Sequence, residues 1–144
     1  MTHVILLSIH PKWAKLIYEG KKTIEWRKTI PCKLSCEELN KGSENVYVYL
    51  YETHPVKKIT GYFKFGGVKI LDARPMKEDT LGCVPIEELK KYQGENCSLC
   101  AWIIKTPYKF SESLSLSLAD INLKRAPQSW CYLKEKTNDS KNIS

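Results

Sequence analysis

The first 28 residues change their hydrophobic period twice, and this double change limits the folds open to the chain. Residues 4–9 (Val-Ile-Leu-Leu-Ser-Ile) form a β-prone apolar run that His10-Pro11 stops. From Pro11 the spacing turns helical. Trp13, Leu16 and Ile17 fall at i, i+3 and i+4 on one face, while Lys12, Lys15 and Glu19 take the other. Proline suits the first helical position because its missing N–H would be unpaired there. Gly20 stands where a left-handed cap ends a helix. Residues 22–28 then alternate, Ile24 and Trp26 against Thr23, Glu25 and Arg27, which predicts a strand with one apolar and one polar face.

The remainder is strand-rich. Residues 46–52 place Val46, Val48 and Leu50 on one face and Tyr47, Tyr49 and Tyr51 on the other, and His54-Pro55 turns the chain. Residues 58–72 are β-prone with Gly66-Gly67 in the middle, the mark of a bulge or sharp bend. Pro85 opens a second helix with acids early, bases late and Gly94 as its stop. Residues 32–44 read as an irregular connection with one helical turn at 35–39. Residues 99–105 read as a strand, 113–118 as an edge strand or extended loop, and 126–133 as the last ordered segment. Strands do not alternate regularly with helices, which argues against a doubly wound parallel sheet. The expectation is an α+β fold: a small, mostly antiparallel, partly closed β-barrel of five to six strands with two or three helices. Residues 1–134 are expected to form one domain, and the polar, aromatic-free stretch 135–144 a frayed tail.

Composition narrows the partners. The chain has 144 residues, 42 % hydrophobic and 27 % charged, enough for one globular core. No apolar run reaches the ~18 residues of a membrane span, and the N-terminus lacks a basic leader, so a cytoplasmic location is expected. A net charge of +7 attracts phosphate-bearing partners through a salt-sensitive field, although excess lysine also serves solubility alone. Six cysteines are present: Cys32, Cys36, Cys83, Cys97, Cys100 and Cys131. Without an export signal they read as reduced thiols. Cys32-x3-Cys36 and Cys97-x2-Cys100 offer four zinc ligands on paper. Their separation is long, however, and Cys100 opens an apolar strand, so no metal and no cofactor are expected.

Chemistry concentrates between residues 10 and 28, where six bases (Lys12, Lys15, Lys21, Lys22, Arg27, Lys28) stand against Glu19 and Glu25, interleaved with Trp13 and Trp26. Bases neutralise phosphates and aromatic rings offer a face to unpaired bases. Lys15, Lys28 and Trp13 fit a solvated face and a buried helical stripe. Thr23, Glu25 and Arg27 share one face of a strand expected to be central. Strict alternation sets Lys22 opposite Glu25. The two converge only if Lys22 belongs to the turn after Gly20, and it is assigned there because the helix cap ends just before it.

Gly20-Lys21-Lys22-Thr23-Ile24-Glu25-Trp26-Arg27 resembles the G-x-K-x-x-E-x-R motif of the ASCH family, a branch of the PUA-like superfold. Residues 6–14, 51–59 and 126–130 look similar to the same family, so the resemblance runs from residue 4 to about 133. It implies a cleft beside the first helix that binds RNA or a nucleotide-like ligand, with Lys22, Glu25 and Arg27 facing it. Ser8 and Lys12, flanking the helix N-terminus, would add donors for an anion. Gln128, Ser129 and Trp130 would close the cleft, the polar pair reading a base edge and the indole stacking. Trp130 reads equally well as a plug over the barrel end.

An enzyme is the alternative. One ASCH branch resembles an amidohydrolase of acetylated cytidine that uses Lys, Thr and Glu. Its Lys falls on Lys22, but its Thr falls on Glu25, and its Glu has only Glu87, Glu88 or Glu95 as unaligned counterparts. A second activity considered for the family is a metal-dependent ribonuclease, with Glu25 as general base and Lys22 or Arg27 stabilising a pentavalent phosphate. No second carboxylate clusters near Glu25 in sequence to hold a metal, and His3, His10 and His54 are scattered. If the protein is an enzyme, Lys22 and Glu25 are the catalytic candidates. A transcription-related regulator is the third possibility, without a helix-turn-helix signal to support it.

Overall fold

The structure is a computed structural model that describes residues 2–71, 82–94, 99–116 and 125–133. In chain order these give β1 (His3–Ile9), α1 (Pro11–Tyr18), β2 (Ile24–Arg27), α2 (Cys36–Lys41), β3 (Val46–Glu52), β4 (Lys58–Leu71), α3 (Ile86–Gln93), β5 (Leu99–Leu114) and β6 (Trp130–Leu133). The six strands form one sheet in the order β2-β5-β4-β3-β1-β6. The β1–β3 pair is parallel and the other four pairs are antiparallel. Expected tail 135–144, Cys97 and Glu95 lie outside the described residues.

β1 has apolar neighbours on both faces, which explains why its sequence is continuous rather than alternating. Ile5 and Leu7 enter the main core with Val48, Leu50, Phe63, Phe65 and Trp102, roofed by Ala14 and Ile17 of α1. Leu6 faces the other way into a second cluster with Tyr51, Ile59 and Leu133, covered by Leu114, Leu116 and Ala126. In β3 the alternation behaves as expected: Val46, Val48 and Leu50 are buried in the main core while Tyr47 and Tyr49 stand half-buried on the opposite face.

The long strands β4 and β5 curl because their register slips at three places, one of them between Phe65 and Val68. Gly66-Gly67 sits in that slip. A side chain on Gly66 would meet Ile103 at 2.7 Å, and Gly67 has φ +103°, so both are held to glycine by space and by conformation. The single helical turn expected at residues 35–39 is a full capped helix, α2. Ser35 Oγ accepts from Glu38 N at 3.1 Å, and Ser35 N donates to Glu38 Oε1 at 2.9 Å.

β2 lies at the sheet's edge rather than its centre, which corrects the sequence expectation. The two edges, β2 and β6, do not pair through their backbones. Side chains span the seam instead. Trp130 Nε1 donates to Thr29 Oγ1 at 2.8 Å and Lys33 N to Tyr132 Oη at 2.8 Å, while Trp102 of β5, on β2's own side of the seam, donates Nε1 to the Thr29 carbonyl at 3.1 Å. The result is a half-barrel closed by indole and phenol groups. No helix among the described residues is long and apolar enough to cross a membrane.

The capping box of α2 makes two checks available. Ser35→Ala removes one of its two hydrogen bonds and should cost about 1 kcal/mol in chemical denaturation. The Ser35 backbone N–H holds the Glu38 carboxyl below its usual range. A lowered native value stabilises the fold above the ordinary carboxylate pKa and loses that contribution as pH falls through the native value. Glu38→Gln should therefore be less stable than the native protein at neutral pH and converge with it in acid.

Candidate functional site

The helix end dictates where Lys22 goes. Gly20 adopts φ +79°, a left-handed value, with open space around its α-carbon, so conformation rather than crowding selects glycine here. Its N–H bonds the Ile17 carbonyl, and the N–H groups of Lys21 and Lys22 both bond the Leu16 carbonyl at 3.0 and 3.1 Å. The chain is thus wrapped under α1 before β2 begins at Ile24, and Lys22 belongs to the turn, as the sequence required. Its Nζ lies 3.2 Å from Glu25 Oε1 and donates to the Gly82 carbonyl. The Trp13 ring covers it at 5.2 Å.

Glu25 holds two cations at once. Its Oε2 accepts from Arg27 Nη2 at 2.6 Å and from Arg27 Nε at 3.0 Å, while Oε1 faces Lys22. Arg27 sends two further donors across the seam: Nη2 to the Ser8 carbonyl at 3.0 Å and Nη1 to Ser129 Oγ at 3.1 Å. The three charged side chains are 1 % (Lys22), 8 % (Glu25) and 12 % (Arg27) exposed. The polar face of β2 is therefore its inward face, against the simple reading of alternation. Mutual neutralisation lets it be buried, while Ile24 and Trp26 stay half-buried along a separate apolar recess with Ala101 and Ile103.

Above these groups opens a cavity of about 300 Å³. Lys22, Glu25 and Arg27 line it together with Trp13, Trp26, His10 and Gln128, and α3 supplies a wall through Glu88, Leu89 and Tyr92. Burial pushes the Tyr92 phenol above its usual value, and the nearby Arg27 cation pulls in the opposite direction. One buried carboxylate faces two buried cations, so the floor carries a net positive charge.

The candidate residues from the sequence divide clearly. Lys22, Arg27, Ser8 and Gln128 line the cavity. Ser8 donates its hydroxyl to the Pro127 carbonyl at 2.6 Å, so its hydrogen is already committed within the fold. Ser129 positions Arg27 and, through its carbonyl, accepts from Ser8 N at 2.9 Å. Lys12 is exposed, with Nζ 4.4 Å from the Trp13 ring centre, and it is not among the lining residues. Trp130 packs edge-on against Trp102 and Tyr132 and is not among the cavity-lining residues. Trp13, read from the sequence as a core residue, touches the core but also lines the cavity. The α3 wall was missed because nothing in its helical pattern says which face meets the motif. His10 was missed as a cap: its Nδ1 accepts from Lys12 N at 3.1 Å.

Both oxygens of Glu25 are held by cations, and among the described residues no group of three or more His, Cys, Asp or Glu side chains could hold a metal. Cys32 and Cys36 are exposed thiols and Cys100 is buried.

Arg27→Lys tests the fork. An ammonium cannot meet Glu25, Ser8 and Ser129 together, so this variant should lose about 1–3 kcal/mol of stability in denaturant titration, the cost of unmade buried hydrogen bonds.

Known proteins share this fold. The ASCH domain family matches residues 7–113. A Zymomonas mobilis subsp. mobilis protein named ASCH domain-containing ribonuclease is 33 % identical over 57 residues, 40 % of this chain and 32 % of the relative, so the match spans about a third of that protein's length. The crystal structure of ASCH from Zymomonas mobilis superposes with a TM-score of 0.74 at 22 % identity, covering 97 % of this chain and 93 % of that one. A serine-to-alanine variant of the Zymomonas protein gives 0.75 at 20 % identity, covering 97 % and 94 %. The mixed six-stranded half-barrel with its three helices is the fold of those structures. The chain belongs to the ASCH domain family.

Proposed function

We propose that the protein binds RNA by capturing one nucleotide-sized unit, or a nucleotide-like ligand, in the cavity above Lys22. The observation that carries this reading is the ammonium of Lys22, 1 % exposed on the floor of an open hollow, where it and a second buried cation, Arg27, share the one carboxylate of Glu25, while Glu88 stands exposed on the wall. A buried excess of positive charge is costly unless an anionic or strongly polar ligand meets it. Lys22 gives two of its donors to Glu25 and Gly82 and keeps a third. The volume, about 300 Å³, is at the small end for ligand sites and suits a single base or nucleoside. Trp13 and Tyr92 supply aromatic walls, and the Gln128 amide stands at the rim with both donor and acceptor capacity. Arg27 in this reading is a positioning residue that holds Glu25, and Glu25 in turn holds Lys22. An RNA ligand agrees with the name of the Zymomonas relative.

Hydrolysis is the second reading, favoured by one specific feature. Glu88 brings a carboxylate to the same cavity from α3, without the two cations that engage Glu25. In that reading Glu88 takes a proton from a water that attacks phosphorus, the P–O bond to the departing ribose oxygen breaks, that oxygen takes up a proton from solvent, and Lys22 stabilises the charge on the phosphate.

Titration with a short fluorescent single-stranded RNA, with products followed in the same tubes, separates these readings. Lys22→Met should weaken binding at least about tenfold, the worth of a charge-assisted hydrogen bond. Gln128→Ala, an exposed change that spares the fold, should weaken it several-fold. Lys12→Ala should change chiefly the salt dependence. Cleavage products that vanish in Glu88→Gln would move the assignment to the enzyme. RNA affinity unmoved by both Lys22→Met and Gln128→Ala would reject the cavity.

A further inference from the structure

We propose that the sheet face opposite the main core carries a second site, a stacking platform for single-stranded nucleic acid. Tyr47 and Tyr49 of β3, Tyr62 of β4, and Tyr108 and Phe110 of β5 form one continuous array, with neighbouring ring centroids 5.2–6.0 Å apart. The side is fixed by alternation: Val48 and Phe63, between these positions, point into the main core, and the Lys22 cavity lies on that core side with Ile9 and Trp13. The array continues from the second cluster, where Tyr49 and Phe110 pack beside Tyr51 and Ile59. Leu114, Leu116 and Ala126 cover that end, while Tyr108 at the other end is 53 % exposed. The solvent face of an antiparallel sheet is normally polar, so contiguous rings there mark a binding surface.

Charge selects the occupant. Lys64 and Lys105 face each other directly in the β4–β5 register, an arrangement of like charges that costs stability until an anion lies between them. Lys64 also stands 5.7 Å from the Tyr47 ring centre. Its partner Glu44, at 3.3 Å, is exposed, and such pairs are worth little. Among the described residues of β5, Glu112 is displaced along the strand toward the covered end. Flat rings beside paired lysines match unpaired bases joined by phosphates. A second copy docked face to face would set the lysine pairs against each other, and a duplex would hide its base faces.

The test uses an oligouridylate of about twelve nucleotides, within the span of such surfaces. Uridine monophosphate serves as a probe of the cavity alone. Tyr108→Ala combined with Lys105→Ala should lower oligouridylate affinity about tenfold, the loss expected for a removed stacking contact, and leave the mononucleotide affinity unchanged. Lys105→Glu alone, an exposed substitution, should weaken the oligomer in the same direction. Loss of mononucleotide binding in Lys22→Met reports on the cavity separately, so either site can fail without the other. Three results would overturn the platform: unchanged oligouridylate affinity in both face variants, equal retention of a double-stranded RNA of the same length, or a face variant that converts a sedimenting dimer to monomer.

Discussion

The guanidinium of Arg27 joins what the backbone leaves apart. The sheet has two free edges, and Arg27 on one of them reaches Ser8 and Ser129 beside the other while gripping Glu25 on its own strand. The fixed planar fork of arginine permits this, because its donors point along several directions at once. Barrel closure and the geometry of the cavity floor therefore rest on the same group. Thr29, Trp130 and Tyr132 extend the closure outward with side-chain bonds, and none of these contacts needs the edges to pair as strands.

Burial of the charged triad also explains an apparent inversion in β2. The strand presents Glu25 and Arg27 to the interior and leaves Ile24 and Trp26 half-buried, with Trp26 bordering both the cavity and the apolar recess. Amphipathic patterning ordinarily predicts the opposite. Opposite charges at hydrogen-bonding distance remove most of the penalty, and what is left over is one unit of positive charge facing an opening.

Much of this architecture was legible from residue order alone. Local signals served well: the period changes in residues 4–28 gave β1, α1 and the turn that sets Lys22 beside Glu25, and Gly66-Gly67 marked the bend in β4. The family motif pointed to three charged residues that the structure brings together along one cavity. Long-range relations were not readable. Nothing in the pattern of β2 says that it forms an edge, since edge and centre differ only in what lies alongside. Trp13 satisfies a buried helical stripe and still borders the cavity, because one large ring touches both. The α3 wall of Glu88 and Tyr92 depends on where a helix far along the chain comes to rest. Lys12 shows another limit: its charge and position suggested a site residue, and only the structure shows that its ammonium lies over Trp13 rather than in the lining of the cavity.

The separations in sequence among the site's own contacts differ widely. Lys22 and Glu25 are three residues apart, whereas Arg27 is 19 residues from Ser8 and 102 from Ser129. Closing a longer loop costs more chain entropy, so the ammonium–carboxylate pair is cheap in that respect and the Arg27–Ser129 bridge is the expensive one. The enclosure of the charged pair thus depends on the contact that spans the greatest length of chain.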